Sequence, residues 1–474
     1  MFYRAPGRAV CADVIPLYDE GEFKLFYLRD YRNIEADGEG CPWCLLRTED
    51  LVNYRDCGEV LPRGKSEEQD LYVFTGSCIK VNGEYIIFYT GHNPHLRKQG
   101  LPEQKILRAK SKDAVHWAKD KDFCFAAPDN LEMHDFRDPF VYYDEEKNAY
   151  GMLIAGRVKN DNPVDGKGVT LVAYSEDLND WKLAEEPFYA PNAYFTHECP
   201  DLFRMGKWWY LAFSEFTDKI VTTYRMSESI NGPWVTPKVN TFDGHAFYAA
   251  KSASDGKRRI MFGWNCIKNG ETDGAPWQWG GTVIAHELVQ DGDGTLWVRC
   301  PDEVRAAYSQ SLEVKERFKT GGVRENNGEY VLGDDGKNIV LFGKTPENFK
   351  LELKFRITDD RGDFGVILRE NGKLDSNYAV KFEPKFNRLA FDRHPRTDNT
   401  VPFAAATERY CPLKAGEENS LLIIAEGSVL EVYVNDRVAM SERMFDFKEG
   451  NFGIYTHNTT VAFSEVRLFG ATKK

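Results

Sequence analysis

The sequence predicts an all-β chain: a five-bladed β-propeller over residues 1–304, a connector over 305–325 and a β-sandwich over 326–474. Three observations predict it. A turn followed by an aromatic-rich strand recurs five times, at a spacing of about 50 to 65 residues, the range of propeller blades with their loops. Amphipathic helices are scarce over residues 1–300. Beyond residue 304 the pattern changes to strands that alternate with period two.

The five units are "EGEFKLFYL" (20–28), "NGEYIIFYTG" (82–91), "KNAYGMLIAG" (147–156), "GKWWYLAFS" (206–214) and "GKRRIMFGW" (256–264). Four are trailed by Ser or Thr, then acids or Asn, then an aromatic: "RTEDLVNY" (47–54), "SKDAVHW" (111–117), "SEDLNDW" (175–181) and "SESINGPW" (227–234). Blades pack face to face around an axis, so the innermost strand of each points its start at a shared funnel. Acids at those starts converge, although they lie far apart in sequence.

The connector is polar, with room for a short helix. The sandwich strands, such as "KLELKFRI" (350–357) and "VLEVYVND" (429–436), carry one apolar face and are separated by Gly and charged turns. No cluster of acid, base and nucleophile lies there, so its expected role is structural support.

Composition narrows the function. The net charge is −13, which argues against nucleic acid or an anionic membrane as the main partner. Aromatics are 14% of the 474 residues, which suits both sheet cores and sugar-stacking surfaces. No stretch approaches the roughly 20 apolar residues of a membrane span. The opening "MFYRAPGRAVCADVIPLYDE" has no apolar core of signal-peptide length. Ten scattered cysteines form no small disulfide framework, and the expected setting is reducing and cytoplasmic. "CPWC" (41–44) lacks a second CxxC or a His pair, and reads as two ordinary thiols flanking Trp43. His92, His134, His197 and His245 show no ligand spacing, so neither metal nor cofactor is expected; His197 is either a pocket residue or a strand-end histidine.

The chemistry sits ahead of the aromatic runs. Blade one has Asp13 in "CADVIPLY", blade three Arg137 and Asp138 in "FRDPFVYY", and blade four Glu198 in "ECPDLF". A buried carboxylate costs several kcal/mol of solvation unless it is paired, and is kept when paired or when its raised pKa is useful. Two carboxylates across a bond are what glycoside hydrolysis requires, and a third can hold sugar hydroxyls. Trp43, Phe74 and Trp264, near the strand ends, offer an aromatic floor. Singly, each acid has a plain structural explanation as a turn residue, a strand-end cap or a satisfied carboxylate. Their recurrence at one place in three blades favours the functional one.

With these motifs the sequence resembles glycoside hydrolase family 32, the fructan and sucrose hydrolases. "FRDPF" is similar to the family's Arg-Asp-Pro motif and "ECPDLF" to its Glu-Cys motif. "FTGS" (74–77) resembles its "FSGS", "FDGHAFYA" (242–249) its "DYGxxFYA", and "SVLEVYVND" (428–436) a signature strand of its sandwich. The resemblance implies Asp13 as nucleophile, Glu198 as acid/base, and Asp138 beside Arg137 as the holder of ring hydroxyls. Trp43, Phe74, Thr75, Asp243 and Trp264 are implied as lining the sugar pocket. It also implies retention of configuration, with the Asp13 and Glu198 carboxyls about 5–5.5 Å apart and a raised Glu198 pKa. The implied substrate is a small oligosaccharide with a terminal β-fructofuranosyl unit, and the implied assembly a monomer or homodimer.

The first motif departs from the family's "WMNDPNG": it reads "RAVCADVIP", and only the aspartate survives. The family's Gln after "FY" is Leu28, followed by "RDYRN" (29–33), where Arg29 or Arg32 could meet an anionic group such as a sugar phosphate. Three alternatives stay open. A propeller glycosidase for another, arabinofuranoside-type sugar would usually invert, with carboxyls about 6.5–9.5 Å apart. A non-catalytic carbohydrate-binding protein would use the same scaffold without turnover. A fructosyltransferase would differ only in the acceptor that reaches the intermediate.

Overall fold

Each of the five recurring aromatic runs lies in the second strand of an antiparallel blade: Glu22–Asp30, Glu84–His92, Ala149–Val158, Trp208–Glu215 and Arg259–Lys268. These strands are buried on both faces over most of their length, because a neighbouring blade covers each side. The innermost strands precede them: Val10–Asp19, Tyr72–Val81, Leu131–Asp144, Glu198–Met205 and Phe247–Ser254. The computed structural model describes residues 1–472 apart from 160–165, 218, 334–335 and 396–406.

The trailing Ser/Thr-acid motifs make the turn out of the third strand. Thr48, Ser111 and Ser175 end that strand, and each hydroxyl accepts the backbone N–H three residues on, at Leu51, Ala114 and Leu178 (2.9–3.0 Å). Asp50, Asp113 and Asp177 then accept two further backbone N–H groups each. The side chains satisfy donors that the loop leaves unpaired, which is why this short polar pattern repeats.

The ring closes at the N-terminus. Tyr3 and Arg4 pair with Val283 and Thr282, and Gly281 pairs with Cys11, so blades five and one share one nine-stranded sheet. The second domain is a sandwich of an eight-stranded and a seven-stranded sheet. Its core mixes aliphatic and aromatic side chains, with Phe364 and Phe382 stacked at 4.9 Å.

The expected connector over 305–325 is too long. Gln310–Leu312 already pairs with the last strand, and Glu316–Lys319 with Lys337–Thr345, so both belong to the sandwich. The short helix lies just before, at Asp302–Ala306.

The two domains are joined by buried polar groups. The Arg443 guanidinium, from the sandwich, donates to Asn265 O (2.8 Å), Cys266 O (2.9 Å) and Thr282 Oγ1 (2.8 Å) of blade five. Asp243 accepts the Ser441 N–H and hydroxyl and faces His286 Nε2 at 2.9 Å. Glu431 bonds the same Ser441 hydroxyl at 2.9 Å. Ligand-type atoms of Asp243, His286 and Glu431 all lie within 4.8 Å of one another, a grouping that spacing in sequence could not reveal.

Candidate active site

One irregularity recurs in all five innermost strands. The register with the second strand slips between Ala12 and Ile15, Phe74 and Gly76, Arg137 and Phe140, Glu198 and Asp201, and Tyr248 and Lys251. In four of these bulges a non-glycine residue takes the left-handed conformation: Asp13 (φ 36°), Asp138 (φ 57°), Cys199 (φ 52°) and Ala249 (φ 51°). Such a residue costs on the order of 1–2 kcal/mol, and a bulge re-aims the side chains around it. In blade two the unpaired residue is Thr75, and the next residue is Gly76, where a Cβ would lie 2.0 Å from Phe88 O. The five bulges turn one point of every blade into the funnel, and strain of this kind collects at functional sites.

What they present is an acid cluster. Asp13, Arg137, Asp138, Glu198, Tyr248 and Trp264 line one cavity of about 630 Å³. Asp13 Oδ2 accepts from the Thr75 hydroxyl, and Oδ1 accepts from Trp264 Nε1 at 3.1 Å. The Cys199 thiol lies 3.9 Å from Asp13 Oδ2. Asp138 Oδ2 accepts the Cys199 N–H at 2.9 Å, and Asp138 N donates to Thr90 Oγ1 at 2.8 Å. Glu198 takes Arg137 Nη2 on Oε1 (3.1 Å) and the Tyr248 hydroxyl on Oε2 (2.6 Å). Arg137 is fixed in turn by Asp135 Oδ1 at 2.8 Å and Gln104 Oε1 at 3.4 Å.

Burial pushes the Asp13 carboxyl up to about 7, with Asp138 and Glu198 adding to the rise and the Thr75 and Trp264 donors opposing it. Burial also raises Glu198; Asp138 adds to that, and Arg137 and Tyr248 oppose it. Burial and neighbouring negative charge thus favour the protonated form of both Asp13 and Glu198, and the Asp13 carboxyl exchanges its proton near neutrality.

The structure brings most of the expected residues to this cavity and moves three away. Phe74 and Trp264 line it, and Phe74 stacks on His92 at 4.6 Å. Thr75 is fully buried and reaches the site only through Asp13. Trp43 does not line the cavity. Its ring is wholly buried against Phe26 and Tyr89, and its Nε1 donates to Phe74 O at 3.2 Å. It belongs to the core between blades one and two. Asp243 is at the domain junction, because Ser441 and His286 supply the partners that a buried carboxylate needs. His197 is buried on Thr170 Oγ1 at 3.0 Å and is packed on Phe213, so it is a core histidine.

Arg32 is committed to Asp30 (3.1 Å) and to the Trp279 carbonyl, and Arg29 stacks on Tyr31 at 5.1 Å. Neither lines the acid cavity, though Arg32 lines a neighbouring one that shares Phe74 and Trp279.

Tyr248 and Trp279 are among the lining residues that sequence reasoning missed, as are Gln104 and Asp135, which fix Arg137. Tyr248 was visible in "FDGHAFYA", one residue before the fifth bulge. Trp279 sits in "WQWGG", in a strand that carries no acid motif.

Two family descriptions match the chain: the N-terminal domain of glycosyl hydrolases family 32 over residues 15–297, and the C-terminal domain of the same family over 311–469. The levanbiose-producing levanase of Bacillus subtilis (strain 168) is 30% identical over 502 residues, covering 96% of this chain and 87% of that protein. The sucrose-6-phosphate hydrolase of Escherichia coli is 24% identical over 425 residues, covering 85% and 80%. Among solved structures, the exo-inulinase of Aspergillus awamori superposes with a TM-score of 0.76 at 18% identity, covering 100% of this chain and 98% of that one.

Proposed function

This chain belongs to glycosyl hydrolase family 32 and is a glycoside hydrolase, and from that premise we propose that it cleaves terminal β-fructofuranosyl units from sucrose-like or fructan oligosaccharides with retention of configuration. The observation that carries the reading is the convergence of Asp13, Asp138 and Glu198, from three blades, on one cavity around Arg137.

Asp13 attacks the anomeric carbon, and the bond to the leaving oxygen breaks as Glu198 gives that oxygen its proton. The product is a fructosyl ester on Asp13. Glu198, now charged, takes a proton from water as the water attacks the same carbon, which frees Asp13 and restores the acid. Asp138 accepts hydroxyls of the bound ring, and its charge favours the oxocarbenium-like transition state. Trp264 and Phe74 supply apolar surface for the sugar. The partner is a small oligosaccharide, and each chain carries the whole carboxylate trio. Ten free cysteines suit the reducing conditions of a cytoplasm.

The test is free-fructose release by the purified protein from sucrose, sucrose 6-phosphate, inulin and levan oligosaccharides, with Glu198→Gln in parallel. Release by the natural protein and its loss in the variant support the reading. No release from any of the four contradicts it.

A further inference from the structure

The wall of the cavity beside Glu198 has no part in the mechanism above. A chain of contacts leads to it. Arg137 Nη2 donates to Glu198 at 3.1 Å and Arg137 Nη1 to Asp135 Oδ1 at 2.8 Å. The other oxygen of Asp135 accepts Arg157 Nη1 at 3.3 Å. The Arg157 guanidinium lies 3.6 Å over the centre of the Phe195 ring, and Phe195 meets Phe216 at 5.6 Å between ring centroids.

Strand pairing puts these rings next to the acid. Phe195 is three residues ahead of Glu198. Ser214 pairs with Glu198, and Phe216 follows it by two. Phe216 and Ile220 share a loop whose backbone is held. The buried Glu215 carboxyl accepts the Thr217 and Lys219 N–H groups at 3.1 Å each, and Thr217 Oγ1 accepts the Phe195 N–H at 3.0 Å. Among the described residues of that loop, Phe216 and Ile220 line the acid cavity, while the polar Thr217 and Lys219 do not. Phe216 is 43% exposed and Ile220 44%. A single exposed apolar side chain is ordinary. Three apolar side chains grouped beside the proton donor, on a backbone tied to a buried carboxyl, make a preformed apolar surface inside a binding cavity.

We propose that Phe195, Phe216 and Ile220 form the leaving-group site, and that it selects leaving groups by their apolar face and not by their hydroxyl pattern. This rests on the reading of Glu198 as proton donor. The leaving oxygen must come within hydrogen-bond reach of Glu198, so whatever that oxygen carries lies on this side of the cavity. An aromatic ring takes the C–H face of a sugar, and takes an alkyl or aryl group equally well. A site built on hydrogen bonds rejects a leaving group that lacks them, because its own polar groups are then left unpaired. The polar group on this wall, Arg157, already has Asp135 as its partner. The substrate class therefore extends to β-fructofuranosides with apolar aglycones.

Methyl, butyl and hexyl β-fructofuranosides test this. Their leaving alcohols are close in basicity, so the bond cleavage is matched and the series reads contact with the wall. The quantity to follow is kcat/KM, which covers the steps up to loss of the leaving group. It should rise by about tenfold or more from methyl to hexyl, a fraction of what full burial of the added methylenes would give. A series flat within about twofold overturns the proposal.

Phe216→Ala and Ile220→Ser locate the effect. Each should reduce the rise by about threefold or more, with the inhibition constant of free fructose held within about twofold. A rise that survives both substitutions overturns the assignment of the wall. Both side chains are partly exposed, and the series in the natural protein needs no variant. If neither sucrose nor any alkyl fructoside is cleaved, the fructoside reading fails and this proposal with it. Cleavage of all members at one rate defeats the proposal alone.

Discussion

Trp264 Nε1 donates to Asp13 Oδ1 across 3.1 Å, so a residue of the last blade holds a carboxylate of the first. The indole can donate only, and therefore favours the charged form of Asp13. A hydrogen bond to a charged group contributes about 1.5–3 kcal/mol, and Trp264→Phe should lower kcat/KM by about ten- to a hundredfold. Its acidic limb should also move to higher pH, which steady-state kinetics across pH will show. Thr75→Val should act in the same direction through the other oxygen of Asp13.

Glu198→Gln removes the proton that the leaving sugar needs. With sucrose the rate should fall by about a hundred- to ten-thousandfold, the range of general acid catalysis. With an aryl fructoside, whose leaving group departs unaided, the first step should be far less affected and the second should become limiting. A pre-steady-state burst of the aryl alcohol, absent from the natural protein, is the expected signature.

The pH dependence of stability follows from the Asp13 shift. Its carboxyl titrates at about 7 in the fold against an ordinary 3.8. A raised carboxyl pKa means that the folded state binds the proton more tightly than the unfolded chain does. The stabilisation is therefore present at low pH and is lost as pH rises from about 4 to about 7. Glu198 is shifted in the same direction. Asp13→Asn should flatten the slope of unfolding free energy against pH in that window, as measured by urea titrations at several pH values.

Asp243 gives a prediction opposite to its sequence expectation. It stands at the domain junction, with Ser441 and His286 on its oxygens. Ser441→Ala removes the one hydroxyl that sits between the buried Asp243 and Glu431 carboxyls, and should cost about 1–3 kcal/mol of stability. KM for the sugar should not change. Thermal unfolding and kinetics on the same preparation check both halves.

How much of this was legible in sequence differs by residue and by cause. The blades were readable because their second strands are double-faced apolar runs and their exits carry the Ser/Thr-acid turn. The acids were readable because Asp13, Arg137, Asp138 and Glu198 sit at equivalent points of three blades. The bulges that aim them were not, since left-handed Asp13 and Asp138 look like any strand residue. Trp43 was misplaced because its neighbour in the next blade, Tyr89, covers it, and no local pattern encodes that contact. Asp243 was misplaced because its partner Ser441 is 198 residues away. The strands Gln310–Leu312 and Glu316–Lys319 are short and largely polar and carry no period-two apolar face, so their sequence does not distinguish them from a connector.

The mechanism requires a covalent bond from sugar to Asp13. Glu198→Gln, turning over an aryl fructoside, should accumulate that ester, because the residue that activates water is gone. Acid quenching, proteolysis and mass spectrometry should find one fructosyl residue on the peptide that contains Asp13 and on no other. A variant that turns over substrate and yields no adduct, or yields one on a peptide without Asp13, contradicts Asp13 as the nucleophile.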